Sequence, residues 1–516
     1  MRLALLSMMV SLAAVAAACG GGNNGKSVCD NVVPPPAACM TQCDPAPGAP
    51  TTCPGGYHCT EDGTCDARCR QGSDDCGDGY RCTPDGRCVG DGECVGLECR
   101  IVDCESRGMP ATTITGTVFA PNGTLPLYGI DVYVPNVPVG PPQDGAVCDR
   151  CTDTIAGYPL SRVKTDEAGK FTLENVPAGA DIPVVIQTGK WRRTITIPAV
   201  AECAATAVGA AETRLPKNKA EGYMPRIAIS TGNADALECL VRKLGIADSE
   251  LTTDTQGGML HMYANTQANG EGANRFKSGF PGGSGNFTDS QVLWNDVAKL
   301  KNYDIVILSC EGSQHPGTKS QAAMDAMKAY ADFGGRVFMS HWHNIWIEGS
   351  TQGGGNQAPA FWSGPNGVAT WNNSSTTFTS PPDTIDEVNN PKGSAFATWM
   401  QNVMGSPARG VIPIESNTGK QTCTAVDNAK AERWVYWNQN GMQYPQMFQF
   451  TTPIETSADN RCGKVVFSDM HVSGDSQSSP GTPFPDDCAS SALTPQEKAL
   501  AFMFFDIASC VSPPLL

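Results

Sequence analysis

The sequence is poor in charged residues, and among them in basic ones. Only 17% of its 516 residues are charged, and 36 basic residues stand against 52 acidic ones, for a formal net charge of -16. Binding to a phosphate backbone depends on clustered Lys and Arg side chains. The composition therefore argues against nucleic acid as a partner.

Long hydrophobic runs are lacking beyond the first eighteen residues. A membrane-spanning helix needs about 18 or more consecutive apolar residues, and no later segment approaches that length. Residues 1–18 begin with Arg2 and continue as an apolar run that small residues close before Cys19. This is the pattern of an export signal, which the mature protein loses.

The end of that run, AAAC at positions 16–19, resembles the lipobox of bacterial lipoproteins. The resemblance implies a signal peptide over residues 1–18, lipidation of Cys19 and a flexible tether over residues 19–28. The implied partner is a membrane, reached through a lipid anchor. An aspartate after the lipidated cysteine would retain the protein in the inner membrane. Gly20 stands at that position, and the resemblance therefore favours the outer membrane. A plain signal peptide is the alternative.

Cysteine is abundant, with 23 residues, and thirteen of them lie between Cys29 and Cys104. Reducing compartments rarely hold so many paired thiols, so the sequence predicts an oxidising one. The stretches CPGGYHCTEDGTC (53–65) and CGDGYRCTPDGRC (76–88) share a C-x5-C-x5-C spacing. We interpret residues 29–104 as a disulfide-rich repeat region, since units this small cannot bury a core.

The repeat cysteines predicted to form disulfides are Cys43, Cys53, Cys59, Cys65, Cys69, Cys76, Cys82 and Cys88. Zinc binding is the alternative, although C-x2-C pairs are absent from the repeats. The pairing itself cannot be deduced from sequence. Cys148 and Cys151 form a C-x2-C pair further along, for which we favour a local or cross-domain disulfide.

The parity of the cysteines carries its own expectation. Without Cys19 there are 22, of which thirteen lie in the repeat region and nine beyond it. Because both numbers are odd, neither region can pair all of its cysteines internally. Either at least one disulfide joins the two regions or two thiols stay free.

Residues 112–200 alternate apolar and polar residues in short runs, which predicts antiparallel strands. The motifs GTV (116–118), TDEAGKF (165–171) and VPAG (176–179) resemble those of the carboxypeptidase regulatory-like domain. That resemblance implies a prealbumin-like β-sandwich with a structural or recognition role and no catalysis of its own. The most basic patch, KWRR at 190–193, suits acidic glycans or lipid phosphates, or is simply a solvated hairpin edge.

After residue 221 the pattern changes to alternating strands and helices. Buried strands are predicted at 226–230, 304–308, 337–339 and 464–467, with helices from Leu237, over 322–333 and from 494 to about 509. This order predicts a flavodoxin-like α/β domain with a doubly wound parallel sheet.

The segments YDIVIL (303–308) and GGRVFMSH (334–341) resemble the class I glutamine amidotransferase-like fold over residues 222–512. Long insertions interrupt the resemblance at 252–289 and 347–392. Catalytic members carry a cysteine in a G-x-C-x-G elbow, whereas here the strand leads into SHWH (340–343). The amidotransferase nucleophile is therefore missing. Cys310 follows another strand, and we expect it in a disulfide.

Polar side chains gather where the predicted strands end. In open α/β sheets ligands bind beyond the carboxyl ends of the strands, where this sequence carries His341, His343, His471, Glu311 and Asp469. If His341 and His343 are two apart on an extended strand, they point the same way. The set is a candidate metal site (His341, His343, His471), a candidate acid–base pair, or a vestigial crevice whose polar groups bond one another.

These features favour a non-catalytic function at the cell envelope. We predict a cell-surface or periplasm-facing lipoprotein used for recognition of a glycan or protein or for envelope structure. Candidate aromatic faces for sugars or peptides are Trp342, Trp346, Trp362 and Trp371. The alternative is a metal-dependent or His/carboxylate hydrolase of envelope or extracellular polymer. A divalent metal is the one cofactor that the residues suggest.

Overall fold

The computed structural model describes residues 27–31, 37–46, 52–53, 57–67, 69, 76, 80–83, 86–151, 155–352, 357–378, 382–416, 418–472, 478–489 and 492–511. The predicted signal peptide and the predicted lipidation site, Cys19, lie outside these residues. The chain divides into two compact units, residues 1–94 and residues 95–516. Within the described residues, no helix combines the length and the apolar character required to cross a membrane.

The first unit is made of very short elements. They are α1 (Val28–Asn31), β1 (His58–Cys59), β2 (Cys65–Asp66), β3 (Tyr80–Cys82) and β4 (Cys88–Gly90). β1 pairs with β2 and β3 with β4 as antiparallel hairpins. Gly63 and Gly86 take positive φ angles in the two turns, which a glycine adopts without steric cost.

Disulfides crosslink each hairpin to the segment that precedes it, and a further one joins Cys29 to Cys39. The pairs are Cys29–Cys39, Cys43–Cys59, Cys53–Cys65, Cys69–Cys82 and Cys76–Cys88. In each repeat the first cysteine joins the third and the second joins the fourth. The predicted disulfide-rich region is thus confirmed, and these oxidised sulfurs are not available as zinc ligands.

The second unit begins with two small sheets. Their strands are β5 (Thr113–Thr117), β6 (Asp131–Pro135), β7 (Pro159–Lys164), β8 (Lys170–Glu174), β9 (Gly179–Thr188), β10 (Trp191–Val200) and β11 (Ala205–Ala207). One sheet has the order β10-β9-β6-β7 and the other β11-β5-β8. Ile114 and Leu173 of one sheet and Val184 of the other belong to one apolar core. We call these strands the β-sandwich.

The rest of the unit is built on an eleven-stranded sheet and a separate strand pair. The strands are β12 (Ile227–Thr231), β13 (Leu251–Thr252), β14 (Leu260–Ala264), β15 (Thr288–Asp289), β16 (Ile305–Leu308), β17 (Arg336–Ser340), β18 (Ala369–Phe378), β19 (Asp383–Ile385), β20 (Val411–Ile412), β21 (Gly419–Val426), β22 (Ala431–Gln439), β23 (Met442–Thr452) and β24 (Gly463–Ser468). The helices are α2 (Leu237–Lys243), α3 (Ser290–Trp294), α4 (Val297–Leu300), α5 (Gln321–Phe333), α6 (Ile345–Glu348), α7 (Gly393–Asn402) and α8 (Pro495–Ala508).

The large sheet is mixed. Its main path is β13-β14-β12-β16-β17-β24-β23-β22-β19-β20, parallel as far as β24 and antiparallel from there on. The prediction of a parallel sheet was therefore wrong for the second half, where hairpin-connected strands extend the sheet. Residues 347–392, read as an insertion, contribute β18 and β19.

The β-sandwich and the large sheet share one core. Trp191 packs against Phe504 and Phe505 of α8, and Lys190 forms an ion pair with Asp304 at 2.5 Å. Arg192 is buried and donates to the carbonyl of Gly140. The segment 190–193 is for the most part an internal contact, so its interpretation as an exposed basic patch was wrong.

Four disulfides lie within the second unit: Cys104–Cys203, Cys148–Cys462, Cys151–Cys510 and Cys239–Cys488. Cys148 and Cys151 thus bond to distant cysteines, not to each other. Cys104 of the repeat region pairs beyond that region, and two thiols, Cys310 and Cys423, are free and buried. Both outcomes that the parity allowed occur together. The expectation that Cys310 forms a disulfide was wrong.

Candidate functional site

The carboxyl ends of four neighbouring parallel strands meet at one edge of the sheet. Register pairs Ser230 with Leu308, Leu308 with Met339, and Ser340 with Ser468. The residues that directly follow β16, β17 and β24 therefore lie side by side. Those residues include Cys310, His341 and His471, all of which are buried.

These three side chains form one cluster. His341 Nδ1 lies 3.4 Å from Cys310 Sγ and 3.3 Å from His471 Nε2. The three ligand-type atoms all fall within 4.8 Å of one another. The structure thus brings together two of the predicted histidines and a cysteine that we had assigned to a disulfide.

His341 reaches this cluster because the strand stops one residue before it. β17 ends at Ser340, and residues His341–Asn344 form a 3-10 turn whose first residue has φ 42°. A histidine in the left-handed region is strained by about 1–3 kcal/mol, and such strain concentrates at functional sites.

His343 does not join the cluster. In the 3-10 turn its ring faces elsewhere: Nε2 lies 2.9 Å from Ser309 O, and Nδ1 accepts from Trp346 Nε1 at 3.0 Å. Both ring nitrogens are used within the protein. The prediction that His341 and His343 point the same way was wrong, because it assumed an extended strand.

Glu311 and Lys319 form a buried ion pair beside this turn. Lys319 Nζ lies 2.7 Å from Glu311 Oε2, and Asn265 Nδ2 donates to both carboxylate oxygens at 3.1 and 3.2 Å. Burial alone raises the pKa of Glu311, but the charges of Lys319 and His343 bring it below its usual value. Burial lowers the pKa of His343 to about 4, against the opposing effect of Glu311.

Asp469 is held by β21. Its carboxylate accepts from Thr422 N and Oγ1, both at 2.8 Å, and from Cys423 N at 3.1 Å. Burial raises the pKa of this carboxyl to about 6, although the hydrogen bonds from Thr422 and Cys423 act in the opposite direction. The five predicted site residues therefore divide among three environments.

The cluster itself carries no activated nucleophile. Burial raises the pKa of the Cys310 thiol to about 12, despite backbone hydrogen bonds from Trp342 and Gly312. Burial, together with the charge of Lys420, lowers the pKa of His471 to about 3, and His341 is shifted in the same direction. At neutral pH the cluster consists of the neutral imidazole of His341, with the Cys310 thiol on one side and the neutral imidazole of His471 on the other.

A loop closes the crevice between β12 and β16. A Cβ on Gly232 would lie 2.4 Å from Ser309 O and 2.2 Å from Cys310 O, so only glycine permits this approach. Asp235, which follows in the same loop, accepts from Ser340 Oγ at 2.5 Å and Val472 N at 2.9 Å. The space beyond the strand ends is thus filled by the protein's own polar groups.

The four candidate tryptophans lie inside the protein, not on open loops. Trp346 and Trp362 are fully buried, Trp342 is 9% exposed, and Trp371 packs against Phe467. Their interpretation as exposed sugar-stacking faces was wrong.

An open cleft lies between the β-sandwich and the helices of the α/β region. Its volume is about 660 Å³, within the range of ligand sites. Amide and charged side chains line it together with apolar ones: Asn122, Arg242, Lys243, Asp248, Asn402, Lys498, Leu125, Val403, Met404 and Leu493. Sequence reasoning missed this cleft because its walls come from segments more than 300 residues apart.

Comparison with known proteins does not identify a function for this geometry. No family model and no curated protein matches the chain. The solved structures that match include two crystal structures of type II cohesin–X-dockerin complexes from Acetivibrio cellulolyticus, an N-terminal and a C-terminal interface mutant. The chain is 16% and 14% identical to them, with TM-scores of 0.16 and 0.15. The matches cover 29% of this chain and 88% and 79% of theirs. At these TM-scores the likeness carries no argument about fold or function.

Proposed function

We propose that this chain is an exported lipoprotein of the cell envelope that binds a glycan without chemically altering it. The observation that carries the proposal is the open cleft of about 660 Å³, which combines amide, basic and apolar side chains. Sugars are recognised by such a mixture, since hydroxyl groups need polar partners and the ring faces need apolar ones. Arg242 and Lys243 are ion-paired with Asp248 and Glu497, so Lys498 is the lining residue that favours an acidic glycan.

The state of the strand-end residues supports a non-catalytic role. Glu311, His343 and Asp469 are buried and hydrogen-bonded within the protein. A general acid or base has to reach the substrate proton within hydrogen-bond distance. Because the polar atoms of these side chains bond to other protein groups, we infer that they stabilise the strand ends and do not act on a substrate.

The domain assignments are part of the same proposal. The strands β14, β12, β16, β17 and β24 lie side by side in the order 2-1-3-4-5 along the parallel sheet. This is the flavodoxin-like order, which supports a class I glutamine amidotransferase-like domain without its nucleophile. The two small sheets with a common core support the carboxypeptidase regulatory-like assignment.

Export and anchoring rest on the disulfides and on Cys19. Every described cysteine except Cys310 and Cys423 is disulfide-bonded, and disulfides of this density belong to oxidising compartments. Metabolic labelling with a fatty acid tests the anchor. We expect label on the wild-type chain and none on Cys19→Ala, and an unlabelled wild type would contradict the lipoprotein assignment.

Glycan binding is tested on an array of neutral and acidic envelope polysaccharides. We expect acidic glycans to bind and Lys498→Ala to weaken that binding, because Lys498 lines the cleft. Lys170→Ala is the matched control, since Lys170 is an exposed lysine of β8 that does not line the cleft. Equal binding by both variants, or no binding by the wild type, would reject the proposal.

One observation favours the hydrolase alternative. His341 is held in a strained turn at a strand end, as catalytic elbows are. Polymer that the wild-type chain cleaves and the His341→Ala variant leaves intact would establish it in place of recognition.

A further inference from the structure

The structure assigns a transition-metal site to Cys310, His341 and His471. We propose that Cys310 Sγ, His341 Nδ1 and His471 Nε2 bind one ion of the zinc or copper class. The site does not depend on glycan binding, because the cleft involves none of these residues.

The spacing of the three atoms fits a single ion. With bond lengths of about 2.3 Å to sulfur and about 2.0–2.1 Å to nitrogen, tetrahedral geometry puts two nitrogens about 3.4 Å apart and a nitrogen and sulfur about 3.6 Å apart. The observed separations are 3.3 Å between the two histidine nitrogens and 3.4 Å between His341 Nδ1 and Cys310 Sγ. These two separations agree with the expected ones to within a few tenths of an ångström, and the third, between Cys310 Sγ and His471 Nε2, is no more than 4.8 Å.

Hydrogen bonds alone do not account for the arrangement. A ring nitrogen carries either one lone pair or one hydrogen, so His341 Nδ1 cannot bond fully to both neighbours. Yet Cys310 Sγ and His471 Nε2 both lie within 3.4 Å of it. A metal ion placed among the three atoms accepts one lone pair from each of them.

The surroundings of the sulfur suit a metal-bound thiolate. Cys310 Sγ accepts from Gly312 N at 3.4 Å, and the backbone of Trp342 also bonds to it. Hydrogen bonds to a ligating sulfur orient it and tune the metal. The strained φ of His341 is explained by the same arrangement, because the turn aims its Nδ1 at the other two ligands.

The ligand set selects the class of metal. Thiolate and imidazole suit zinc and copper, whereas magnesium and calcium require oxygen ligands. Three protein ligands leave one position open, as in catalytic zinc sites, and one cysteine with two histidines is also the set of trigonal copper sites. The two ions share this chemistry, and the experiment separates them.

The test uses the full-length oxidised chain. Because the ligands are buried, the ion is supplied during expression, in medium with added zinc, copper or cobalt, and the purified protein is assayed for metal per chain. We expect close to one equivalent of zinc or copper, and a sulfur-to-cobalt charge-transfer band in the cobalt form. No stoichiometric metal in any of the three preparations would overturn the proposal.

Variants locate the ion. Cys310→Ser and His471→Gln should lose the metal and the cobalt band. Cys423→Ser should keep both, and it is the matched control because Cys423 is the other free, buried cysteine. A Cys310→Ser chain that folds and retains the full equivalent would overturn the assignment. Circular dichroism and a disulfide map establish that each variant has folded.

X-ray absorption on the wild-type chain decides the question if the variants do not fold. We expect one sulfur at about 2.3 Å and nitrogens at about 2.0–2.1 Å from the ion. A spectrum with oxygen and nitrogen neighbours only would place the metal elsewhere and contradict the site.

Discussion

Different interactions stabilise the interior of each of the two compact units. In the described part of the first unit, the buried apolar side chains are Ala67 and four disulfide-bonded cysteines. The second unit buries six tryptophans almost completely, among them Trp191 and Trp434. Crosslinks therefore replace a core in the first unit and are added to a large core in the second.

Reduction of the disulfides should produce the largest difference between the two units. With all disulfides reduced, we expect the amides of β1 to β4 to lose their protection against hydrogen exchange altogether, because little apolar burial remains. The amides of β12, β16 and β17 should stay protected by the core around them. Hydrogen exchange with mass spectrometry of the full chain, with and without reductant, measures both. Persistent protection in residues 58–66 after reduction would contradict this account of the first unit.

Breaking a buried ion pair should be the most harmful single change in the second unit. Lys319→Met leaves Glu311 buried without its counter-charge, at an expected cost of about 3–5 kcal/mol in the free energy of unfolding. Urea denaturation measures the loss, and the double variant Lys319→Met/Glu311→Leu should recover part of it.

The matched control for this pair lies on the surface. Lys277→Met removes the partner of Asp486, where both side chains are more than a third exposed. Such a pair is worth about 0–1 kcal/mol. Equal losses from Lys277→Met and Lys319→Met would show that burial does not govern these pairs.

Removing one long-range disulfide should cost less than breaking the buried pair. The double variant Cys148→Ser/Cys462→Ser opens a bond between residues 314 positions apart. We expect a loss of about 2–4 kcal/mol with the fold retained, because the core remains. Thermal unfolding measured by circular dichroism checks this. A variant that does not fold at all would make the second unit as dependent on crosslinks as the first.

The smallest predicted change in stability comes from the titration of one buried carboxyl group. Burial raises the pKa of Glu238 on α2 to about 8, whereas an unfolded glutamate titrates near about 4.3. Because the folded protein binds this proton more tightly than the unfolded chain does, the protonated carboxyl stabilises the fold. This stabilisation is complete below the pKa of the unfolded glutamate and is lost as the pH rises through 8. Between pH 7 and pH 9 this loss is about 1 kcal/mol.

Glu238→Gln mimics the protonated carboxyl and should remove that part of the pH dependence. The measurement is the difference in unfolding free energy between wild type and variant at pH 7 and pH 9, which cancels the other titrating groups. A difference that is the same at both pH values would reject the raised pKa.

The parts of the fold that could be predicted are those with an apolar run or a capping signal. The helix predicted at 322–333 is Gln321–Phe333, and the capping box of Thr494 and Glu497 opens α8 as expected. β23 escaped prediction because polar residues interrupt its apolar ones, although two of them, Gln446 and Gln449, are buried in the structure. Such a strand resembles a polar loop until its sheet partners are known.

The site was predicted in place but not in composition. The strand-end rule brought out His341 and His471, which do meet. The direction of His343 depends on a 3-10 turn that no residue pattern announces. Cys310 had one signal, the odd cysteine count on each side of the boundary, which allowed two free thiols without saying which. Lys319, ten residues after Ser309, gave no signal before its pairing with Glu311 was seen.

The interleaved pairing of the repeats has a consequence for how the chain matures. Cys43 bonds to Cys59 across Cys53, and Cys69 bonds to Cys82 across Cys76. An oxidase that joins thiols in their order of emergence would couple the wrong neighbours in both repeats. The native bonds are then reached only through thiol–disulfide exchange, so the yield of correctly matured chain should follow the supply of a disulfide isomerase.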